Sequence, residues 1–312
     1  MSPTPVGSAR PRPGTIVARA FAKINLSLRI TRTRPDGFHE LQTVLQAIDL
    51  ADTLTVSTRS GPFRIVCRTP GVPVDRRNLV WRAAEALWRA AGRQGEPRDA
   101  AIAIRKRIPR QGGLGGGSSD AAAALLALRR AWHLPIEDEQ LHVIGRGLGA
   151  DVPFFLVGGT ALGLGRGDEL YPLADLPRWW VVLAFPSFGV STPDAYAWFD
   201  AGQSSDRSPG AAHQHLDGAW LGRATPLIND LEAPVVERYP EIGRLREALK
   251  ERGAVMAAMS GSGSTVFGVF RSAAAAAAAR RWLRRSGRRC TVARMLDRRQ
   301  TARLAGPVWG RR

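Results

Sequence analysis

The sequence is poor in cysteine, poorer still in lysine, and has no long apolar run. Each shortage narrows what the chain can be. Cys67 and Cys290 are the two cysteines among 312 residues. They lack metal-ligand spacing and can form at most one long-range bridge, so the default reading is two reduced thiols in a cytoplasmic protein. No stretch approaches the ~18 consecutive apolar residues of a membrane-spanning helix, so no membrane association is expected. Residues 1–15 are rich in Pro, Ser, Gly and Arg without an apolar segment, and they read as a disordered tail, not a signal peptide. Of the five histidines, His213 and His215 are close in sequence, on a stretch that reads as a loop. No carboxylate or cysteine is spaced to complete a metal site with them.

Charge is what the chain has in excess. The formal net charge is +18, from 45 basic against 27 acidic residues. A nucleic-acid partner must be weighed against that balance. The arginines are spread along the chain, however. The densest run, Arg280–Arg289, is followed by Arg298-Arg299 and Arg311-Arg312, and no DNA- or RNA-binding motif accompanies them. They read as a solvated face, with no nucleic acid bound, whose positive field favours anionic nucleotide substrates. Only Lys23, Lys106 and Lys250 are lysine. Where arginine serves nearly everywhere, a retained lysine hints at a need for a compact ammonium.

The segment Ile108-Pro-Arg-Gln-Gly-Gly-Leu-Gly-Gly-Gly-Ser-Ser-Asp-Ala-Ala-Ala123 carries the most information. Five of the six residues from Gly112 to Gly117 are glycine. The alternating stretch Ala101–Arg105 before it reads as a strand, and the Ala/Leu-rich run after it as a helix beginning near Ser118. Strand, glycine loop and helix N-terminus make a phosphate cradle: the backbone can approach an anion, point N–H groups at it and add the positive end of the helix dipole. A flexible linker would not run into a helix of such high propensity. A P-loop would need Gly-Lys-Ser/Thr, and no lysine lies between Lys106 and Lys250. A Cβ at Gly115, Gly116 or Gly117 is expected to collide with phosphate or forbid the loop's shape.

Strands are expected over 16–31, 52–56 and 179–185, with Phe63–Cys67 as partner of the second. Phe154–Leu164 also reads as strand, and Arg34-Pro-Asp-Gly37 as a turn. Helices are expected over 78–89 with Asn78 as N-cap, and over 138–148, 194–200, 242–252 and 273–285. Residues 201–215 read as a loop. The mixture indicates an α+β fold, divided near residue 165. The layout is a tail at 1–15, domains at 16–165 and 166–304, and a basic tail at 305–312.

Several segments in order resemble the GHMP kinase superfamily. They are Ala20-Phe-Ala-Lys-Ile-Asn-Leu26, Arg34-Pro-Asp-Gly-Phe-His-Glu-Leu-Gln42, the loop Pro109–Ala123, Gly149-Ala-Asp-Val-Pro-Phe154, Asn229-Asp-Leu-Glu232 and Met259-Ser-Gly-Ser-Gly-Ser264. Asp36-Gly-Phe-His-Glu40 resembles the cytidine-recognition segment of the branch that acts on diphosphocytidyl methylerythritol. The resemblance implies a ribosomal S5-like N-terminal domain and a ferredoxin-like C-terminal domain. It also implies transfer of the γ-phosphate of ATP, with Mg2+, to the substrate's 2-hydroxyl, on the non-mevalonate route to isoprenoid precursors, in a cytoplasmic monomer or homodimer.

By the same resemblance Lys23 and Asp151 are catalytic. A carboxylate can accept the hydroxyl's proton, and an ammonium can stabilise developing charge. A surface lysine and a helix-capping aspartate are the plain alternatives. ATP would be held by Asn78, Lys106, Pro109, Gly112, Gly113, Leu114, Gly115, Gly116, Gly117, Ser118 and Ser119. Asn25, Phe38 and His39 would contact the cytidine half, with Tyr196 and Trp198 both candidates for a second aromatic wall. The family's loop usually has glycine where Gln111 stands; Gln111 would narrow the loop or add a contact. A homoserine- or mevalonate-type kinase lacks the Asp-Gly-Phe-His-Glu segment. A kinase-like scaffold without activity is disfavoured by the presence of both Lys23 and Asp151.

Overall fold

The computed structural model describes residues 14–202 and 228–309. The His213/His215 pair, nearly all of the 201–215 loop and most of the N-terminal tail lie outside the described residues.

The alternating N-terminal segment forms β1 (Thr15–Thr33), which turns at Arg34–Gly37 into the long β2 (His39–Pro62). Gly37, at φ +80°, donates its N–H to Arg34 O at 3.0 Å and closes the turn. The two halves of β2 take different partners. Thr53–Thr58 pairs with β4 (Arg98–Arg105), and Thr43–Gln46 pairs with β5 (Thr160–Leu164), itself paired with β6 (Glu169–Pro172). β3 (Arg64–Cys67) corrects one expectation, because it runs parallel to β4 on the far side from β2. A single residue separates β3 from β2, too few for the reversal that a hairpin needs.

Helices α1 (Leu79–Ala90), α2 (Gly116–Ala131), α3 (Asp138–Leu148) and α4 (Val152–Val157) complete the N-terminal half. Asn78 caps α1 as its sequence implies, its Oδ1 accepting the Val80 N–H at 2.9 Å. The expected strand from Phe154 is instead helical up to Val157. A short buried apolar run does not by itself separate strand from helix. Here Pro153 starts a helix, and Gly158 and Gly159, at φ +69° and +66°, end it before β5. The buried alanines Ala121–Ala124 let α2 lie close against β1 and β2.

Beyond residue 172 the chain forms β7 (Trp180–Phe185), α5 (Thr192–Ala201), α6 (Glu232–Arg238), α7 (Pro240–Glu251), β8 (Met256–Met259), β9 (Val266–Phe270), α8 (Ala273–Arg285) and β10 (Arg289–Arg294). These strands make a second antiparallel sheet in the order β10-β7-β9-β8. The chain then returns to the first sheet through α9 (Arg298–Ala305) and β11 (Val308–Trp309), which pairs with β1. Ile24, Leu26, Val44 and Ile48 of the first sheet pack against Val181, Leu183, Phe267 and Val269 of the second. One apolar seam therefore joins the halves. Its edge opens into a cleft of about 1200 Å³, lined by β1, the glycine loop, the start of α4 and the Gly261-Ser262 turn. No helix among the described residues is long and apolar enough to cross a membrane.

Candidate active site

The glycine loop is held from two sides. Lys23 N–H on β1 donates to Leu114 O at 3.1 Å, and Ser119 Oγ donates to Phe21 O at 2.6 Å. From the second half, Ser260 Oγ donates to Gly113 O at 2.9 Å, Ser264 N–H to Gln111 O at 3.3 Å and Thr265 N–H to Gly112 O at 3.4 Å. The two Gly/Ser motifs, far apart in sequence, thus form one platform. Helix α2 begins at Gly116, two residues before the expected Ser118, with Gly115 as N-cap at φ +69°.

The glycines differ in what they tolerate. A Cβ at Gly113, φ +70°, would fall 1.8 Å from Ser260 O; at Gly115 it would fall 2.6 Å from the Phe155 ring. At Gly116 it would meet the Ile108 side chain at 2.9 Å, so substitution there disturbs packing as well as any ligand. At Gly117 it meets only Leu79 Cδ1, at 3.9 Å. Gln111 stands at φ +51°, where a glycine is at home. Its carbonyl also accepts Val190 N–H at 3.4 Å and its side chain packs on Gly189, so it adds a contact to the loop after β7.

Lys23 and Asp151 face each other across the cleft floor, Nζ to Oδ2 at 3.7 Å. Neither plain reading of them survives. Lys23 is 4% exposed, so it is not a surface lysine. Asp151 occupies the N-cap position of α4, but its side chain makes no capping hydrogen bond, which leaves the carboxylate turned to the cleft. Register shifts in the β1–β2 ladder flank Ala22–Asn25, and such bulges re-aim side chains. Asn25 Oδ1 accepts from Lys23 Nζ at 2.6 Å while its Nδ2 donates to Thr43 Oγ1 at 2.8 Å. Asn25 therefore orients the ammonium.

Lys106 lies beneath the glycine loop. Its Nζ is 2.5 Å from Asp52 Oδ2 and 2.5 Å from Asp120 Oδ2, and donates to Gly116 O at 3.4 Å. Burial alone would lower the Lys106 pKa, but the carboxylates of Asp120 and Asp52 raise it overall. Burial pushes the Asp120 carboxyl up to about 7 against the pull of Lys106. Asn78, with its Nδ2 donating to Pro73 O at 2.6 Å, is engaged at both ends. Ser118 lines the cleft, whereas Ser119 is buried and turned to β1.

At the opposite end, Phe38 is exposed at the lip with the Arg166 guanidinium 5.4 Å from its ring centre. His39 stacks on Tyr196, centroids 4.7 Å apart, and its Nε2 lies 2.8 Å from Asp200 Oδ1. Burial pushes the Tyr196 phenol pKa up, and the ring lines the cleft. Trp198 faces Tyr239 and Arg238 instead, so of the two aromatic candidates Tyr196 is the one on the cleft wall.

Residues 78–159 match the family model "GHMP kinases N terminal domain", and residues 211–289 match "GHMP kinases C terminal". A 4-diphosphocytidyl-2-C-methyl-D-erythritol kinase of Gloeobacter violaceus is 44% identical over 272 residues, covering 85% of this chain and 88% of the relative. The chain belongs to the GHMP kinase family. Within that family, a second relative of the same name, from Moorella thermoacetica, is 44% identical over 80% of this chain and 88% of its own length. A crystal structure of 4-(cytidine 5'-diphospho)-2C-methyl-D-erythritol kinase superposes with a TM-score of 0.75 at 37% identity, covering 89% of this chain and 98% of that one. A homoserine kinase from Cytophaga hutchinsonii, at 19% identity and a TM-score of 0.67, shares the fold.

Several residues that build this GHMP kinase site are not evident from the sequence. Thr43, Asp52, Asp120, Arg166 and Asp200 are ordinary in their local context and matter through partners far along the chain. Asn229 and Glu232 could have been found, since their motif was visible. Asn229 Nδ2 holds Met259 O at 2.9 Å and Gly261 O at 2.8 Å, and Glu232 Oε2 accepts Met259 N–H at 2.6 Å, which together fix the Gly261-Ser262 turn.

Proposed function

We propose that this kinase transfers the γ-phosphate of ATP to the 2-hydroxyl of 4-diphosphocytidyl-2-C-methyl-D-erythritol. The observation that carries the reading is the common cleft. It brings the phosphate-cradle turn, the Lys23–Asp151 pair and the Phe38/His39/Tyr196 aromatic end together. The triphosphate lies along the N–H groups at the start of α2, where the helix dipole and the arginine-rich field favour it. The acceptor hydroxyl lies at Lys23 and Asp151. Its oxygen bonds to the γ-phosphorus as the bond to the bridging oxygen of the ADP leaving group breaks. Asp151 orients the hydroxyl and takes its proton, and Lys23 stabilises charge on the transferring group. Loose phosphoryl transfer needs little base strength, so orientation is the larger part of Asp151's role.

Phe38 and Tyr196 offer ring faces to the pyrimidine, and His39, held by Asp200, offers its edge. Magnesium carried in with the nucleotide would offset negative charge on the transferring phosphates. Among the described residues, no group of three or more His, Cys, Asp or Glu is placed to hold a metal ion. The reading extends to a cytoplasmic enzyme, monomeric or homodimeric, with the division between its halves drawn after β6 instead of at residue 165. Turnover of ATP with and without the diphosphocytidyl alcohol tests the reading: ADP should form only when the acceptor is present.

A further inference from the structure

Asp52, Lys106 and Asp120 form a buried cluster with two acids and one base. Their side chains are 0%, 7% and 5% exposed. Asp52 sits on β2, Lys106 just after β4 and Asp120 in the second turn of α2. Asp52 Oδ1 accepts the backbone N–H groups of Arg107 and Ile108 and so holds the entry to the glycine loop. Lys106 is tied to Gly116 O, the first residue of the turn that faces the nucleotide. Asp120 Oδ1 is buried with no hydrogen-bond partner.

The charges acting on Asp120 are those of Lys106 and Asp52, while Lys23 on β1 is engaged by Asn25 and Asp151. Two buried carboxylates beside one ammonium leave a net negative charge, next to the place a polyanion must occupy. One proton on the carboxylate pair removes it.

We propose that Asp52, Lys106 and Asp120 act as positioning residues for the phosphate-binding turn, and that their carboxylate pair takes up a proton when ATP binds. The inference rests on the reading of the cleft as the ATP site. The sign follows from Coulomb's law: the arriving phosphates raise the affinity of the pair for its proton, so binding takes up a proton and weakens as pH rises through neutrality. Burial already holds Asp120 near that range. The limit for one coupled proton is about tenfold in affinity per pH unit.

The experiment is calorimetric titration of ATP into the full chain and into Asp120→Asn, from pH 6 to 8.5, in two buffers of different ionisation enthalpy. The nucleotide's own protonation is common to both proteins and cancels in the difference. The expected result is proton uptake by the unmodified enzyme that Asp120→Asn lacks, with a flatter affinity profile in the variant. Should Asp120→Asn fail to fold, Asp52→Asn, which keeps the acceptor for Arg107 and Ile108, gives the same reading. Equal proton uptake in enzyme and variant would overturn the coupling while leaving the ATP site standing. Absence of any ATP heat in the unmodified enzyme would overturn the site reading and the coupling with it.

Discussion

Replacing Gly117 with alanine separates binding from folding better than any other change in the glycine loop. The added Cβ would meet only Leu79 Cδ1 at 3.9 Å, an ordinary contact, and the residue is already helical. Alanine is a better helix former than glycine by up to ~1 kcal/mol. The variant should therefore melt at or slightly above the temperature of the unmodified enzyme. The same Cβ stands on the turn assigned to phosphate. Displacing the anion from two backbone donors removes hydrogen bonds to a charged group worth roughly 1.5–3 kcal/mol each. The loss sums to about 3–6 kcal/mol, more than a hundredfold in Kd. Calorimetric ATP titration beside a thermal melt reads both quantities. Normal ATP affinity in a normally stable Gly117→Ala protein would refute the placement of phosphate on α2. Gly113→Ala is the opposite case. Its Cβ would sit 1.8 Å from Ser260 O in a left-handed backbone. Strain of ~1–2 kcal/mol and overpacking of ~1–3 kcal/mol should lower stability itself.

Lys23→Ala and Asp151→Asn should each lower kcat by about a hundredfold or more while ATP affinity changes little. Near-normal turnover in both variants would remove them from the chemistry. Tyr196→Ala should raise KM for the diphosphocytidyl substrate about tenfold or more, the range of one lost base stack, with little effect on KM for ATP. Trp198→Ala should leave both constants near their original values, and an equal rise in the two variants would contradict the geometry. A stability profile tests Asp120. Its folded carboxyl titrates near 7 and its ordinary value is 3.8. The folded state thus keeps a proton that the unfolded chain has lost, and this contribution, full below about pH 4, fades as pH rises to 7. Denaturant melts of Asp120→Asn should lack that decline, and an identical decline in the variant would assign it to other groups.

Local chemistry made much of this molecule legible in the sequence. Asn78 before an amphipathic run, the Pro-Asp-Gly turn and the alanine-rich helices each declare themselves through capping, turn preference or periodicity. The glycine loop was visible as a cradle because Gly113 and Gly115 adopt backbone angles that few other residues accept. What failed to show was what pairing and packing decide. The strand partner of Arg64–Cys67 depends on β4, inserted from some thirty residues downstream. The run from Val152 is helix because Pro153 and the Gly158-Gly159 pair bracket it, an outcome its apolar content could not reveal. The site divides in the same way. Lys23 and Asp151 could be named through their motifs, whereas Asp52 and Asp120 become significant only when folding sets both 2.5 Å from Lys106.

The most direct test of the account supplies γ-labelled ATP with three acceptors in parallel: 4-diphosphocytidyl-2-C-methyl-D-erythritol, homoserine and mevalonate. Label should pass to the 2-hydroxyl of the diphosphocytidyl alcohol and to neither of the others, and His39→Ala should weaken that transfer by raising KM for this acceptor. Labelling of homoserine or mevalonate, with none on the diphosphocytidyl alcohol, would contradict the account.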